Sequence, residues 1–397
     1  MTSRERVLTT LRHEEPDMVP IDLGAMRSTG IMAIAYNQLK KHLGLNTGYT
    51  YLYDIEQQLA ELEPYFFERF QIDVIDLCNN FGKMDASWRA WTLPDGSSAF
   101  VNADRYPVLR GREWLLTEGD RIIARMPETS LYFDTVYHPL AEAATKADLD
   151  AYTFHHYTDE QLKDIESRAR SLYYGTDFAI LGGFGGNIVE IGQSLRGWEN
   201  FMMDLVANRP FAEDLMDRIT EVHLENLKLY LQAVGDFVQI IQFGDDLGTQ
   251  GSTMISPELY HEVIMPRHRR LYSYAKSNSK LFTFLHSCGS IYDLLPDIIE
   301  TGIDIINPVQ TSAAKMDPLK LKTEFGDKLT FWGGGIDTQS LLASATHEEI
   351  VDHIKARLDI FKPGGGYVFT PIHNIQADIP PENILVTYDS VIENRKY

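Results

Sequence analysis

The sequence predicts an α/β protein folded as a (β/α)8 TIM barrel, with an antiparallel β insertion after the second strand. Eight short apolar runs are bounded by turn residues, and most lack polar alternation, as do strands buried on both faces of a parallel sheet. Amphipathic helical stretches separate most of these runs. The 397 residues are compatible with one domain, because α/β barrels often exceed the usual domain length.

The eight predicted strands follow one another along the chain. They are Met18–Leu23, Asp73–Leu77, Phe178–Leu181, Phe237–Phe243, Leu281–Leu285, Ile303–Ile306, Leu329–Trp332 and Tyr367–Phe369. Helices are predicted over Asp159–Leu172, Ala212–Val234, Pro257–Ser277 and His347–Phe361. The third of these helices has Ser256 as its N-cap and Pro257 at its first position, where a missing N–H costs nothing. The basic run from Arg267 to Arg270 is expected to face solvent.

Residues 86–137 interrupt the repeating pattern. Polarity alternates there, as in SWRAWTL and REWLL, and turn signals occur at Pro94–Gly96 and Glu118–Asp120. We interpret this segment as β-hairpins inserted into a single barrel domain that spans residues 1–397. Such an insertion is expected on the C-terminal face of the barrel, where it can cover an active site.

Composition excludes several classes of protein. The chain has 36 basic and 57 acidic residues, a net charge of −21, which argues against a nucleic-acid partner because phosphate contacts need clustered Lys and Arg. Its two cysteines cannot form a disulfide framework, and they fit a reducing cytoplasm. No apolar stretch approaches the roughly 18–20 residues of a membrane span, and the N-terminal segment has no apolar core of a secretion signal. We therefore expect a cytoplasmic protein without a membrane partner.

A His-x-Cys motif at the end of the fifth predicted strand is the sharpest local signal. His286 and Cys288 are two residues apart, and imidazole and thiolate together suit zinc. His373, at the end of the eighth strand, is the candidate third ligand, because all barrel strands end on the same face. Three protein ligands would leave one position open, as in catalytic zinc sites. The alternative is a buried structural cysteine beside a hydrogen-bonded histidine.

Other strand ends carry carboxylates and possible substrate contacts. Asp245 and Asp246 follow the fourth strand, and Glu190 follows the third, so these three residues are candidate acid–base groups or a fourth metal ligand. Alternatively, one aspartate caps a loop while the other faces solvent, and Glu190 is a helix-surface charge. Arg27 after the first strand and Asn79 after the second are candidate substrate contacts.

The glycine-rich run Gly182–Gly186 ends the third predicted strand. It lacks the G-x-G-x-x-G register and the downstream acid of a dinucleotide site. Its glycines indicate either close approach of the backbone to a large ligand or a tight turn of the barrel.

The motifs together resemble the uroporphyrinogen decarboxylase superfamily, whose (β/α)8 barrels include decarboxylases and cobalamin-dependent methyltransferases. The resemblance runs from the first strand to the C-terminus, apart from the insertion. Ile255–Tyr260 and Ile264–Pro266 are similar to a segment that follows the fourth strand in that family. His286–Gly289 is similar to the His-x-Cys-Gly of its zinc methyltransferase branch. Counting back from Ile379–Asn383 with the family's spacing reaches His373 where that branch has a second cysteine.

The resemblance implies a zinc-dependent methyltransferase that works with a corrinoid protein, with a methoxylated aromatic as the favoured substrate (O-demethylation). It assigns zinc binding to His286, Cys288 and His373. Histidine in place of the second cysteine should strengthen the Lewis acidity of the zinc and favour demethylation over thiolate activation. The sequence leaves open whether the chain forms a homodimer.

Two alternatives remain at this point. One is a uroporphyrinogen decarboxylase-like enzyme that uses Arg27 and an aspartate without metal. Its match is poorer, because only Arg27 corresponds to the arginine-containing motif that the decarboxylases carry after the first strand. The other is a non-catalytic barrel that binds a corrinoid or another tetrapyrrole.

Overall fold

The computed structural model describes residues 1–45, 48–78 and 87–397. The strands are β1 (Leu52–Asp54), β2 (Leu59–Ala60), β3 (Val74–Asp76), β4 (Trp88–Thr92), β5 (Ser98–Asn102), β6 (Val108–Arg110), β7 (Glu113–Glu118), β8 (Arg121–Pro127), β9 (Asp134–Thr135), β10 (Ala179–Gly185), β11 (Ile240–Gly244), β12 (Phe282–His286), β13 (Ile305–Asn307), β14 (Thr330–Trp332) and β15 (Tyr367–Val368).

The helices surround these strands. They are α1 (Ser3–Leu11), α2 (Ala33–His42), α3 (Pro64–Arg69), α4 (Lys146–Asp150), α5 (Asp159–Gly175), α6 (Val189–Arg196), α7 (Trp198–Ala207), α8 (Arg209–Val234), α9 (Pro257–Leu259), α10 (Met265–Asn278), α11 (Leu295–Glu300), α12 (Pro318–Phe325), α13 (Leu341–Ser344), α14 (His347–Phe361) and α15 (Pro381–Asn394). A π-helical turn, Tyr260–Ile264, joins α9 to α10. No helix in the described part of the chain is long and apolar enough to cross a bilayer.

A curled parallel sheet of seven strands forms the centre of this α/β fold. Its order is β3-β10-β11-β12-β13-β14-β15, and every neighbouring pair is parallel. Several of its strands are buried along their whole length, as β13 and β14 are, which explains their continuous apolar sequence. Seven of the predicted strands thus lie in one parallel sheet, as expected.

The first predicted strand, Met18–Leu23, differs from its prediction. It forms isolated bridges rather than a ladder, including a parallel bridge from Ile21 to Phe369. Pro20 has no N–H to donate, and the Ile21 N–H donates to the Asp73 carboxylate at 2.9 Å rather than to a strand. The segment still contacts both edges of the sheet, because Phe369 N donates to Pro20 O and Asp73 N donates to Ile21 O.

The segment between β3 and α4 contains two antiparallel sheets. One pairs β4 with β5, and the other has the order β6-β7-β8-β9. The turn signal at Glu118–Asp120 coincides with the end of β7 at Glu118 and the start of β8 at Arg121. The segment's far end approaches the sheet's carboxyl edge, where Tyr132 Oη donates to Asn374 Oδ1 at 3.2 Å.

The basic run in α10 corrects one expectation. Arg269 and Arg270 are exposed, but Arg267 and His268 are buried rather than solvated. Arg267 Nε donates to Asp217 at 2.8 Å, and His268 Nε2 lies 2.8 Å from Asp245. Charge alone suggested an exposed face, whereas these acidic partners, far away in sequence, allow two of the four side chains to be buried.

Candidate active site

A cavity of about 510 Å³, the main cavity, lies at the carboxyl ends of the parallel strands. The strands bring distant residues together because their carboxyl ends share one edge of the sheet. The side chains around it include Arg27, Tyr53, Asp54, Asp76, Phe184, Glu190, Gln242, Asp246, His286, Cys288 and His373. Six sequence-predicted site residues therefore line one cavity.

Three of these residues form a compact group of potential metal ligands. The ligand atoms of Asp246, His286 and Cys288 all lie within 4.8 Å of one another. Cys288 Sγ lies 3.4 Å from His286 Nε2, which in turn lies 3.7 Å from Asp246 Oδ1. A tetrahedral zinc ion with bonds of about 2.0–2.3 Å separates its ligand atoms by about 3.3–3.7 Å. The donor atoms and their spacing therefore fit zinc.

Asn307 orients the imidazole of this group. Asn307 Nδ2 donates to the Trp332 carbonyl at 2.8 Å, which leaves Oδ1 as the acceptor for His286 Nδ1 at 2.6 Å. Ser28 Oγ donates to the same oxygen at 2.8 Å. His286 Nδ1 then carries the proton, and the lone pair on Nε2 points toward the sulfur and the carboxylate, as metal-binding histidines require. Asn307 was not among the predicted site residues, although its position at a strand end was a signal.

The loop of Cys288 is fixed by its neighbours. Cys288 N donates to Asp246 Oδ1 at 2.8 Å. Burial, followed by the charge of Asp246, raises the pKa of the Cys288 thiol well above its usual value. A bound cation acts in the opposite direction and favours the thiolate. Gly289 has φ +84°, and a Cβ there would overlap the backbone of Gly248, so only glycine fits the fourth position of the motif.

The two adjacent aspartates have different environments. Asp246 lines the main cavity, whereas Asp245 is fully buried and is not part of its lining. Asp245 accepts hydrogen bonds from the backbone N–H groups of Ile188, Val189 and Glu190 at 2.8–3.0 Å. It therefore stabilises the N-terminus of α6 and holds the helix that carries Glu190.

Glu190 is held at the cavity wall with a perturbed acidity. Burial is the main cause that raises the pKa of Glu190 to about 7, followed by the charges of Asp246 and Asp245. Asn187 Nδ2 donates to its carboxylate at 2.5 Å, which acts in the opposite direction. A carboxyl group with this pKa can gain or lose a proton near neutral pH, as acid–base catalysis requires.

His373 lines the main cavity but lies outside the compact group of three. Burial, followed by the charge of His286, lowers the pKa of His373 and favours the neutral ring that can bind metal. Its role as third ligand stays a prediction, because Asp246 is the third member of the group.

Arg27 and Asn79 are the two predicted substrate contacts. Asn79 lies outside the described residues. Arg27 lines the main cavity, and its guanidinium forms an ion pair with Asp54 and lies 3.6 Å from Glu56. Asp54 itself lines the cavity, so the charge of this arginine is already compensated at the wall.

The described lining is acidic overall. It contains the carboxylates of Asp54, Asp76, Glu190 and Asp246 against the one arginine. Burial raises the pKa of Asp76 to about 7, so this group too is near its titration point at neutral pH. A ligand with several negative charges would meet repulsion in this cavity.

The chain is similar to known proteins of one family in sequence and in fold. The family model for uroporphyrinogen decarboxylase (URO-D) matches residues 176–393, which include every candidate site residue except Arg27 and Asn79. The methylated-thiol–coenzyme M methyltransferase of Methanosarcina mazei is 27% identical over 195 residues, 44% of this chain. The match covers 50% of that relative, so the chain spans about half its length. A solved methyltransferase structure from Methanosarcina mazei has a similar fold, with a TM-score of 0.60, 18% identity and 99% of both chains covered.

Proposed function

The chain belongs to the uroporphyrinogen decarboxylase family, and we propose that it is a zinc-dependent methyltransferase within it. It transfers a methyl group between a small substrate and a corrinoid carried by a partner protein. The observation that carries this proposal is the group of Asp246, His286 and Cys288, which lies in the same cavity as the acid–base candidate Glu190. The methyltransferase activity in the name of the curated relative agrees with it.

The residues have distinct parts in the proposed mechanism. His286 and Cys288 hold zinc with Asp246 beside them, and His373 is the further predicted ligand. Zinc, when bound, supplies a Lewis acid that stabilises negative charge on the heteroatom that gains or loses the methyl group. Glu190 delivers a proton to that heteroatom or removes one from it, since its pKa is about 7. Asp245 does not take part directly but positions Glu190 through the backbone of α6.

The methoxylated aromatic remains the favoured substrate. An aryl ether leaves as a phenolate, which is a poor leaving group until its charge is neutralised by zinc or a proton. A ligand set with a single thiolate donates less electron density to zinc than one with two, which strengthens its Lewis acidity. Both features favour demethylation of an ether.

The alternatives are less well supported. A decarboxylase for a porphyrinogen with many carboxylates needs a cationic cavity, whereas here Arg27 is paired and four carboxylates face the substrate space. A barrel that only binds a tetrapyrrole does not need an acid with a pKa near 7 beside a set of metal ligands.

The proposed methyltransferase would have a closed (β/α)8 barrel. We infer that residues 20–22 close the sheet into a (β/α)8 barrel, because they hydrogen-bond to residues at both edges. Residues 1–397 are proposed as one domain, with residues 86–137 as an insertion in it.

Metal analysis tests the proposed function. Purified protein should contain about one zinc per chain, and the His286→Ala, Cys288→Ser double variant should lose it. Cys78→Ser is the matched control, since it removes the other cysteine and should keep the metal. Asp246→Asn and His373→Ala, measured separately, identify which residue completes the ligand set. Protein that stays metal-free after zinc reconstitution would contradict the mechanism.

A further inference from the structure

A second cavity, of about 390 Å³, lies beside the main cavity. We call it the aromatic cavity and define it by Tyr152, Phe154, Tyr157, Phe184, Ile191 and Val222. Its walls are the extended segment 152–157, α6 and α8. The rings of Tyr152 and Phe154 meet edge to face, with centroids 4.9 Å apart. Four aromatic side chains therefore surround one space outside the acidic site.

Two polar side chains in this wall, Asn226 and His223, already have hydrogen-bond partners. Asn226 accepts from Tyr157 N at 3.1 Å and donates to the His155 carbonyl at 3.0 Å. His223 Nε2 lies 3.0 Å from the Asn187 carbonyl, and burial lowers the pKa of its ring, which favours the neutral form. No carboxylate, lysine or arginine of the described residues lines the aromatic cavity. It therefore offers an apolar surface without a charge to pair.

The two cavities share a wall. Phe184 lines both of them, and its ring packs against Tyr230 and Phe243, with centroids 5.5 and 5.8 Å apart. The helix α6 is common to both as well, since Glu190 faces the main cavity and the next residue, Ile191, faces the aromatic cavity. A ligand that spans both spaces would pass Phe184.

We propose that the aromatic cavity binds an uncharged aromatic ring, the body of the methyl donor whose methyl-bearing atom lies near Asp246, His286 and Cys288. The identity of the ring as part of the methyl donor rests on the proposed function. An apolar cavity of about 150 Å³ is enough to bind benzene, so the aromatic cavity has room for a substituted ring. Edge-to-face contacts with the surrounding rings favour an aromatic occupant.

A consequence for specificity follows from the uncharged wall. A ring that carries a carboxylate would lose its hydration without gaining a cationic partner. We expect 3,4-dimethoxybenzoate to bind at least about tenfold more weakly than 1,2-dimethoxybenzene, which differs from it by that charge. Equal affinity for the two compounds would overturn this part of the proposal.

Calorimetric titration with 1,2-dimethoxybenzene tests the site directly. Val222→Trp fills the aromatic cavity from a half-buried position on α8 and should weaken binding at least about tenfold. Leu229→Trp is the matched control, because Leu229 lies on the same helix, is 37% exposed and lines neither cavity. Phe154→Asp, which adds a charge to the wall, is a second variant in case Val222→Trp does not fold. Wild-type affinity in folded Val222→Trp or Phe154→Asp would overturn the proposal.

The same titration separates this inference from the proposed function. Zinc-depleted and zinc-loaded protein should bind the ring with affinities within about threefold, because the aromatic cavity holds no metal ligand. Ring binding that depends on Val222, without methyl transfer to cob(I)alamin, supports the inference and contradicts the proposed function. Methyl transfer from dimethyl sulfide with no ring binding supports the function and overturns the inference.

Discussion

Asp73 directly precedes β3 and Asp76 is its last residue, and their environments are opposite: Asp73 is buried, whereas Asp76 is half-buried at the main cavity. At the amino end, Asp73 accepts hydrogen bonds from Arg6 at 2.5 Å and from Arg395 at 3.2 Å. At the carboxyl end, Asp76 accepts one from Cys78 N at 2.9 Å, and no lysine or arginine in the described ranges forms an ion pair with it. Burial raises the pKa of Asp76 to about 7.

The difference teaches how to distinguish a structural charge from a functional one. A buried carboxylate with two guanidinium partners is part of the structural core, because its loss would leave Arg395 buried without a carboxylate partner and Arg6 with Asp17 alone. A buried carboxylate without such a partner costs stability and is typical of sites that bind or react. We therefore expect the amino edge of this sheet to serve stability and the carboxyl edge to serve function, the division that α/β barrels show.

The largest expected effect is at Asp73. Asp73→Asn should lower the free energy of unfolding by about 3–5 kcal/mol, because the buried Arg395 would lose its carboxylate partner and Arg6 would keep only Asp17. Urea denaturation measures this loss. Asp17→Asn is the control, since Asp17 also pairs with Arg6 but at the surface, where a pair contributes about 0–1 kcal/mol. Equal losses in the two variants would refute the distinction.

The next largest effect is expected for substitution of Glu190, which should change the rate of catalysis rather than the stability of the fold. Glu190→Gln keeps the shape and hydrogen-bonding capacity of the side chain but removes its titration. We expect kcat for methyl transfer to fall about 100-fold, within the usual range for loss of an acid–base group, with zinc content unchanged. The Glu190→Asp variant should recover part of the rate, and full activity in Glu190→Gln would exclude the assigned role.

A pH series at Asp76 sharpens the comparison. Its pKa is raised on folding, so the folded protein holds a proton that the unfolded chain releases as pH rises from about 4 to 7, and stability is lost over that interval. Asp76→Asn should remove this loss. A rise of the pKa from about 4 to about 7 corresponds to roughly 4 kcal/mol for a fully desolvated group. Because the Asp76 side chain is only half-buried, we expect the variant to gain about half of this, ~2 kcal/mol, over wild type at pH 8 and nothing at pH 4. Thermal or urea unfolding at the two pH values measures it, and a gain that does not change with pH would contradict the assignment.

The smallest effect concerns the orientation of the His286 imidazole, which we propose binds zinc. Asn307→Ala removes the acceptor for His286 Nδ1 and should weaken zinc binding about tenfold, measured by competition with a chromophoric chelator. Asn307→Asp keeps an acceptor at that position and should stay within about threefold of wild type. If the two variants bind zinc equally, Asn307 does not act through this hydrogen bond.

The sequence predicted which residues lie close together where the strand ends determine their position. His286, Asp246 and Glu190 lie on one cavity because their strands are parallel neighbours. The sequence could not show which of the two adjacent aspartates lines the cavity, since adjacent residues at a strand end point to opposite sides. Only the position of α6 shows that Asp245 is the one that caps the helix.

Contacts between distant residues explain what was missed. The burial of His268 depends on Asp245, which is 23 residues away, and the role of Asn307 depends on His286, which is 21 residues away. The first predicted strand is irregular because the Ile21 N–H donates to the Asp73 carboxylate, and these two residues are 52 positions apart in the sequence. Local periodicity contains no information about such partners.

The pairing of Asp73 also sets an order of events during biosynthesis. Arg6 precedes Asp73 in the chain, but Arg395 follows it by 322 residues. At a translation rate of about 5–20 residues per second, the second guanidinium is made roughly 20–60 s after the carboxylate. The amino edge of the sheet therefore acquires its complete charge network only after nearly all of this sequence has been translated.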